Sequence, residues 1–286
     1  MSQDATPDYT AWIGNSEEQH DVVAAGPLDR LAATLDREDP PFAPGDAAPP
    51  LAHWLMFLPS ARQSALGVDG HPARGGFLPP VHHLPRRMWA GGRLEFHAPL
   101  RVGMAVTRRS SITDVSRRQG GTGELIFVTV RHEVHEQGAR SPLLTEEHDI
   151  VYRSAETVAA KPAPAAPEPG AWRREVSPDA VMLFRYSALT FNGHRIHYDR
   201  DYVTKEEGYP GLIVHGPLVA TLLLDLLRRQ QPEARVTRFS FRAMSPLFDG
   251  APVTLNGNAP DGEGRIALWA TNPTGGLAMR AEAWIG

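Results

Sequence analysis

The chain has 286 residues, 42% hydrophobic and 22% charged, with a formal net charge of −4 and no cysteine. That is enough apolar material for one large globular domain or two ordinary ones. It excludes disulfides, thiolate metal sites and cysteine nucleophiles, and so small a charge gives neither nucleic acid nor an anionic membrane an electrostatic handle.

The start lacks a basic segment followed by an apolar run, and no apolar run reaches membrane-spanning length, so the expectation is a soluble cytoplasmic protein. Residues 16–25 read as a short helix. Residues 27–35 read as another, with Pro27 at the entrance and Leu28, Leu31, Ala32 and Leu35 on one face. The Pro-, Asp- and Gly-rich segment 38–50 is a loop. The apolar run 51–58 is a buried strand or the start of a helix. Residues 60–90 mix Gly, Pro, His and Arg without a period and read as a long surface excursion, a class of loop that is often functional. Strands follow at 93–98, 104–115, 123–136 and 143–153, rich in Val, Ile and Phe and broken by turns such as Gly120-Gly121. Residues 154–169 hold four prolines and many alanines and form a linker. An apolar helix at about 217–230 then precedes strands at 236–243, 253–259, 265–272 and 277–285.

The two halves repeat one another. Leu94, Phe96, Ala98, Pro99-Leu100, Gly103 and Val106-Thr107 line up with Phe239, Phe241, Ala243, Pro246-Leu247, Gly250 and Val253-Thr254, allowing a two-residue insertion. An internal duplication is the expectation, each half a helix wrapped by an antiparallel sheet. The fold class is α+β, with an N-terminal domain at 1–155, a linker at 156–172 and a C-terminal domain at 173–286. The halves are expected to pack as a pseudo-dimer with one continuous sheet.

Chemistry concentrates in residues 183–199, where Asn192, His194, His197 and several hydroxyls stand close together. Ile213-Val214-His215-Gly216-Pro217 follows and opens the apolar helix. A helix start offers unpaired N–H groups and the positive end of the dipole to a carbonyl oxygen becoming an anion. Any single histidine is more often structural than catalytic; the spacing of the whole set carries the argument. The segment is expected to form a loop or bulge beside the sheet. His194 and His197 are an i, i+3 pair, but no third donor stands at ligand spacing, so no metal is expected.

Asn192-Gly193-His194-Arg195-Ile196-His197, with Val214-His215-Gly216, resembles the motifs of MaoC-type hotdog-fold enoyl-thioester hydratases and dehydratases. The fuller string from Phe184 to Asp199 is similar to the double-hotdog subgroup that includes mitochondrial 3-hydroxyacyl-thioester dehydratases and bacterial mesaconyl-C4-CoA (3-methylfumaryl-CoA) hydratases. Gly92-Arg93-Leu94-Glu95-Phe96 and Asp149-Ile150-Val151-Tyr152-Arg153 resemble that subgroup's N-terminal hotdog. The resemblance covers roughly residues 20–286. It implies a double hotdog and a carbon–oxygen lyase acting on an acyl-CoA thioester, with no cofactor and with a homodimer as the candidate assembly.

It also implies roles. His197 matches the family's catalytic histidine, and an imidazole titrating near ~6.5 suits a base that takes a proton from water. Gly216 matches the glycine whose N–H holds the thioester oxygen. The chain departs from the wider family at Asn192, where that family has its catalytic Asp, and at His194, where it has Asn. Asn192 cannot exchange a proton but can orient water; His194 is either a second acid/base group or structural. Arg185, Tyr186, Ser187, Thr190 and His215 are the substrate-side candidates. Arg185 would pair with a substrate carboxylate or form a surface salt bridge, and His215 would fix the turn. The pairs Arg86-Arg87, Arg108-Arg109 and Arg117-Arg118 would grip coenzyme A phosphates or simply be solvated. The alternatives to a hydratase of an enoyl-CoA such as mesaconyl-C4-CoA are a (3R)-3-hydroxyacyl-thioester dehydratase of fatty-acid-type substrates, a non-catalytic acyl-thioester binder and a thioesterase. A thioesterase would need a motif carboxylate, which is missing.

Overall fold

The computed structural model describes residues 7–120, 123–154 and 162–286. Among these, ten strands form one antiparallel sheet: β1 (Ser16–Val22), β2 (Arg86–Phe96), β3 (Ala105–Gly120), β4 (Gly123–Glu136), β5 (Leu144–Arg153), β6 (Trp172–Val176), β7 (Val236–Ala243), β8 (Val253–Gly257), β9 (Arg265–Thr271) and β10 (Leu277–Ile285). Their spatial order is β1-β3-β4-β5-β2-β7-β10-β9-β8-β6. The second half of that order repeats the first in mirror sequence, with β2 and β7 at the centre. Leu94 and Phe239, equivalent in the duplication, are also cross-strand partners. The local two-fold axis therefore passes between them. Gly103 and Gly250, also equivalent, both take positive φ, +91° and +75°.

Among the described residues four α-helices accompany the sheet: α1 (Ala25–Thr34), α2 (Ala180–Leu189), α3 (Arg200–Lys205) and α4 (Gly216–Gln230). α4 carries an unbroken buried run from Leu218 to Leu227, with Leu218, Leu223 and Leu227 fully buried. It needs an apolar surface nearly all round because it packs on β6, β8, β9 and β10 and lies in the main core, to which both halves contribute. The buried Asp225 near its end accepts from Arg37, Arg174 and Arg229 at 2.8, 2.8 and 2.7 Å. Arg37 follows α1, so this cluster ties the halves together.

The N-terminal half departs from the expected helix-in-sheet plan. The place corresponding to α4 holds one 3₁₀ turn, Ala52–Leu55. Leu51 and Phe57 bracket it with φ of +69° and +53°, and Pro59 follows, so the chain cannot propagate a helix there. Residues 16–22 form the edge strand β1 instead of a helix. Their exposure alternates at every residue, as pairing with β3 requires, and no helical apolar stripe competes with it. The 60–90 excursion is not confined to the surface. Val81 and Leu84 are buried in a second core against Ile112, Val128 and Ile150. The pair Arg108-Arg109 is split by the strand pleat, which sends neighbours to opposite faces: Arg108 is partly buried and stacks over Phe57, whereas the exposed Arg109 bonds Glu18 at 2.8 Å. The linker expectation falls partly on residues 155–161, outside the described residues.

Candidate active site

The segment predicted as a loop begins as helix. Asp179 caps α2, its carboxylate accepting from the Met182 N–H at 2.8 Å. The helix runs to Leu189 because its apolar positions face the core, with Leu183, Tyr186 and Ser187 buried. It ends where Phe191 turns to φ +47° and the Asn192 N–H returns to the Ser187 carbonyl at 2.8 Å. Asn192 Oδ1 then accepts from the His194 N–H at 3.0 Å, a local Asx turn. A 3₁₀ turn, Arg195–His197, leads to Asp199, which caps α3 through the Tyr202 N–H at 3.0 Å. Arg195 braces the turn by donating to Asp199 at 2.7 Å and stacking over the Tyr202 ring. Local chemistry thus fixes the backbone that carries His197.

The chain then comes back alongside. The Ile213 N–H donates to the Ile196 carbonyl at 2.9 Å, and the Ile213 carbonyl accepts from His197 Nδ1 at 2.7 Å. That bond places the proton of the neutral ring on Nδ1 and leaves a lone pair on Nε2. His215 stacks on His197, with centroids 3.7 Å apart and planes at 19°. His215 is held in turn by Ser187 Oγ at 2.8 Å and by the edge of Tyr186 at 5.1 Å. His194 stands perpendicular to His197 at 5.5 Å. Gly216 follows His215 as the first residue of α4, and a Cβ built there would meet nothing within 4 Å. Pro217 has no N–H, so the donors of this helix start are concentrated on Gly216 and Leu218.

Burial keeps these imidazoles neutral. It pushes His197 down to about 4, with the Ile213 carbonyl opposing and the charge of His71 adding to the shift. Burial also holds His215 well below the ordinary histidine range, reinforced by His197 and His194. His194 is pushed far down by burial, then by His71 and His197.

His71 was not visible as a site residue in the sequence. It comes from the N-terminal half, on the long loop ahead of β2. The Arg195 N–H donates to the Asp69 carbonyl at 2.9 Å, and Arg195 Nη1 to the Val68 carbonyl at 3.0 Å. Gly70 makes this docking feasible: its φ is +86°, and a Cβ there would sit 1.9 Å from the Gly193 carbonyl oxygen. His71 Nδ1 lies 3.1 Å from the Asp69 carboxylate, and its ring centre is 4.0 Å from that of His194. The available signal was the length of the loop and its Asp-Gly-His sequence.

The fold therefore gathers His197, His194, His215, Asn192, Ser187, Tyr186 and Gly216. Thr190 closes α2 by donating to the Tyr186 carbonyl at 2.8 Å. Arg185 lies on the exposed face of α2 with Phe184 and Ala188, away from the buried face that carries Ser187. Donors for a metal exist that sequence spacing could not reveal: Asp69, His71 and His194 bring one ligand atom each within 4.8 Å. The Asp69 carboxylate is already engaged by the His71 backbone N–H at 3.0 Å and by its ring, and the Arg87 cation, which depresses both histidines, opposes a second positive charge. No described helix is long and apolar enough to cross a membrane.

Comparison with known proteins shows the family. The description of the family "Hydroxyacyl-thioester dehydratase type 2" matches residues 51–249. A mesaconyl-C4-CoA hydratase of Chloroflexus aurantiacus is 46% identical over 286 residues, covering 99% of each chain. The mitochondrial hydroxyacyl-thioester dehydratase type 2 of Schizosaccharomyces pombe is 28% identical over 82% of this chain and 87% of its own. Among solved structures, a MaoC-like dehydratase from Phytophthora capsici superposes with a TM-score of 0.72 at 16% identity over 96% of each chain. A Mycobacterium tuberculosis protein described as having a double hotdog fold superposes at 0.55, also at 16% identity over 96% of each chain. Fold and relatives together define a double-hotdog, carbon–oxygen lyase of the acyl-thioester hydratase and dehydratase class. Within that class the chain belongs to the hydroxyacyl-thioester dehydratase type 2 family.

Proposed function

We propose that the chain adds water to the 2,3 double bond of mesaconyl-C4-CoA, with His197 as the proton-transfer group. The carrying observation is the bond from His197 Nδ1 to the Ile213 carbonyl, which leaves a buried, neutral Nε2 ready to accept a proton. The near full-length identity to a mesaconyl-C4-CoA hydratase supports the substrate. Water loses a proton to Nε2 as its oxygen bonds to the β carbon. The π electrons move onto the thioester oxygen, which the Gly216 N–H and the α4 dipole hold as it becomes an enolate. The imidazolium then returns the proton to the α carbon, so one molecule of water is added. Asn192 orients the water. His194, also neutral, stands perpendicular beside His197.

In this reading residues 1–155 form the wall that accepts acyl group and coenzyme A, residues 156–172 link the halves, and residues 173–286 carry one active site per chain. Ser187, Tyr186 and His215 support the catalytic ring from behind. The reading goes with a cytoplasmic location, where coenzyme A thioesters are made and used, and with a homodimer. The test is to offer mesaconyl-C4-CoA and crotonyl-CoA and to follow enoyl absorbance and free thiol separately. Loss of absorbance without thiol is expected. Thiol release identifies a thioesterase, and no change with either substrate leaves a binding protein or a different acyl substrate.

A further inference from the structure

Arg87 is a charged residue to which the hydration steps above give no role. It lies on β2 opposite Tyr152, with Trp89 opposite Ile150. Met88 between them points outward and is 42% exposed, so Arg87 shares the inner face with Trp89, Ile150 and Tyr152. The arginines around it are engaged. Arg86 pairs with Glu207 at 3.3 Å, Arg93 with Asp149 at 2.7 Å and Arg195 with Asp199 at 2.7 Å. Arg74 donates to the carbonyls of Val81, Leu84 and Pro85. Arg87, half-buried, joins no ion pair among the described residues. This face adjoins the site: Tyr152, the cross-strand partner of Arg87, lies 5.4 Å under the guanidinium of Arg74, three residues after His71, and the Arg87 charge lowers His71, His194 and His148.

We propose that Arg87 is the anchor for a carboxylate carried on the β carbon of the substrate's acyl group, an inference that rests on the hydratase reading above. A partly desolvated guanidinium without a counter-ion is costly unless a ligand supplies the anion, and its planar fork matches a carboxylate with two parallel hydrogen bonds. In a mesaconyl-C4 thioester the free carboxylate sits on the carbon that receives the water. Holding it fixes which face of the double bond meets His197. The other candidates fit less well. Arg185 is exposed on the far side of α2, and Arg108 is already bonded to Gln19, stacked on Phe57 and under the influence of Glu146.

The experiment compares kcat/KM for mesaconyl-C4-CoA and crotonyl-CoA in the wild type, Arg87→Met and Arg87→Lys. The ratio of charged to uncharged substrate is expected to fall about 100-fold in Arg87→Met, the size of a lost bidentate charged hydrogen bond. Arg87→Lys, which keeps the charge without the fork, falls about 10-fold and carries the test if the Met variant does not fold. A ratio within about threefold of wild type in both variants overturns the proposal. A wild type that hydrates crotonyl-CoA but not mesaconyl-C4-CoA sinks the substrate reading instead. Equilibrium binding of succinyl-CoA against butyryl-CoA then decides the anchor: the proposal requires a wild-type preference for the carboxylate that Arg87→Met abolishes, and an unaltered preference refutes it.

Discussion

His197→Ala is expected to lower kcat for hydration ~10²–10⁴-fold, the usual range for a positioned proton-transfer group. KM should change little, because the imidazole acts on water rather than on the bulk of the thioester. The geometry leaves few substitutes. His215 has its Nε2 on Ser187 and lies under the His197 ring. His194 stands 5.5 Å away, depressed by burial and two neighbouring imidazoles. Turnover near the wild-type rate in His197→Ala would remove it from the mechanism and pass the role to His194.

Gly216→Val is expected to cost ~10²–10³-fold in kcat, comparable to removing one oxyanion donor. The side chain would occupy the space in which the thioester oxygen approaches the helix start. The fold should tolerate it, since nothing lies within 4 Å of the added Cβ and position 216 does not take a positive φ. The melting temperature should therefore stay close to wild type while activity falls. Intact activity would place the oxyanion site elsewhere, whereas a large drop in melting temperature would show that the glycine serves the fold.

Much of this arrangement is written locally, and the rest depends on contacts far apart in sequence. Strands β4, β7 and β10 are legible because apolar and β-branched residues recur along them and turn residues bound them. The apolar run of α4 is legible for the same reason. Residues 16–22 are not: they are almost wholly polar, and only pairing with β3 makes them a strand. The missing helix of the N-terminal half follows from two left-handed residues, Leu51 and Phe57, that nothing in their side chains announces. At the site, Asn192, His194, His197 and Gly216 could be named because they share a short stretch with a familiar pattern. Asp69 and His71 could not, since more than a hundred residues separate them from His194 and the docking of their loop on Gly193 and Arg195 is a tertiary contact. Arg87 could be read only as half of a basic pair, because its direction is set by the register of β2 on β5.

The most direct test of a buried, neutral His197 is the pH dependence of kcat/KM for hydration. Burial lowers the imidazole from its ordinary value to about 4, so the base stays unprotonated through the whole neutral and mildly acidic range. Water carries no charge, so while the substrate carboxylate is ionised the hydration equilibrium does not shift with pH, and dehydration must follow the same kcat/KM profile. The account predicts a plateau from neutral pH down to about 5 and a tenfold loss per unit below about 4 in both directions. An acid limb centred near the ordinary imidazole value of ~6.5 would contradict it.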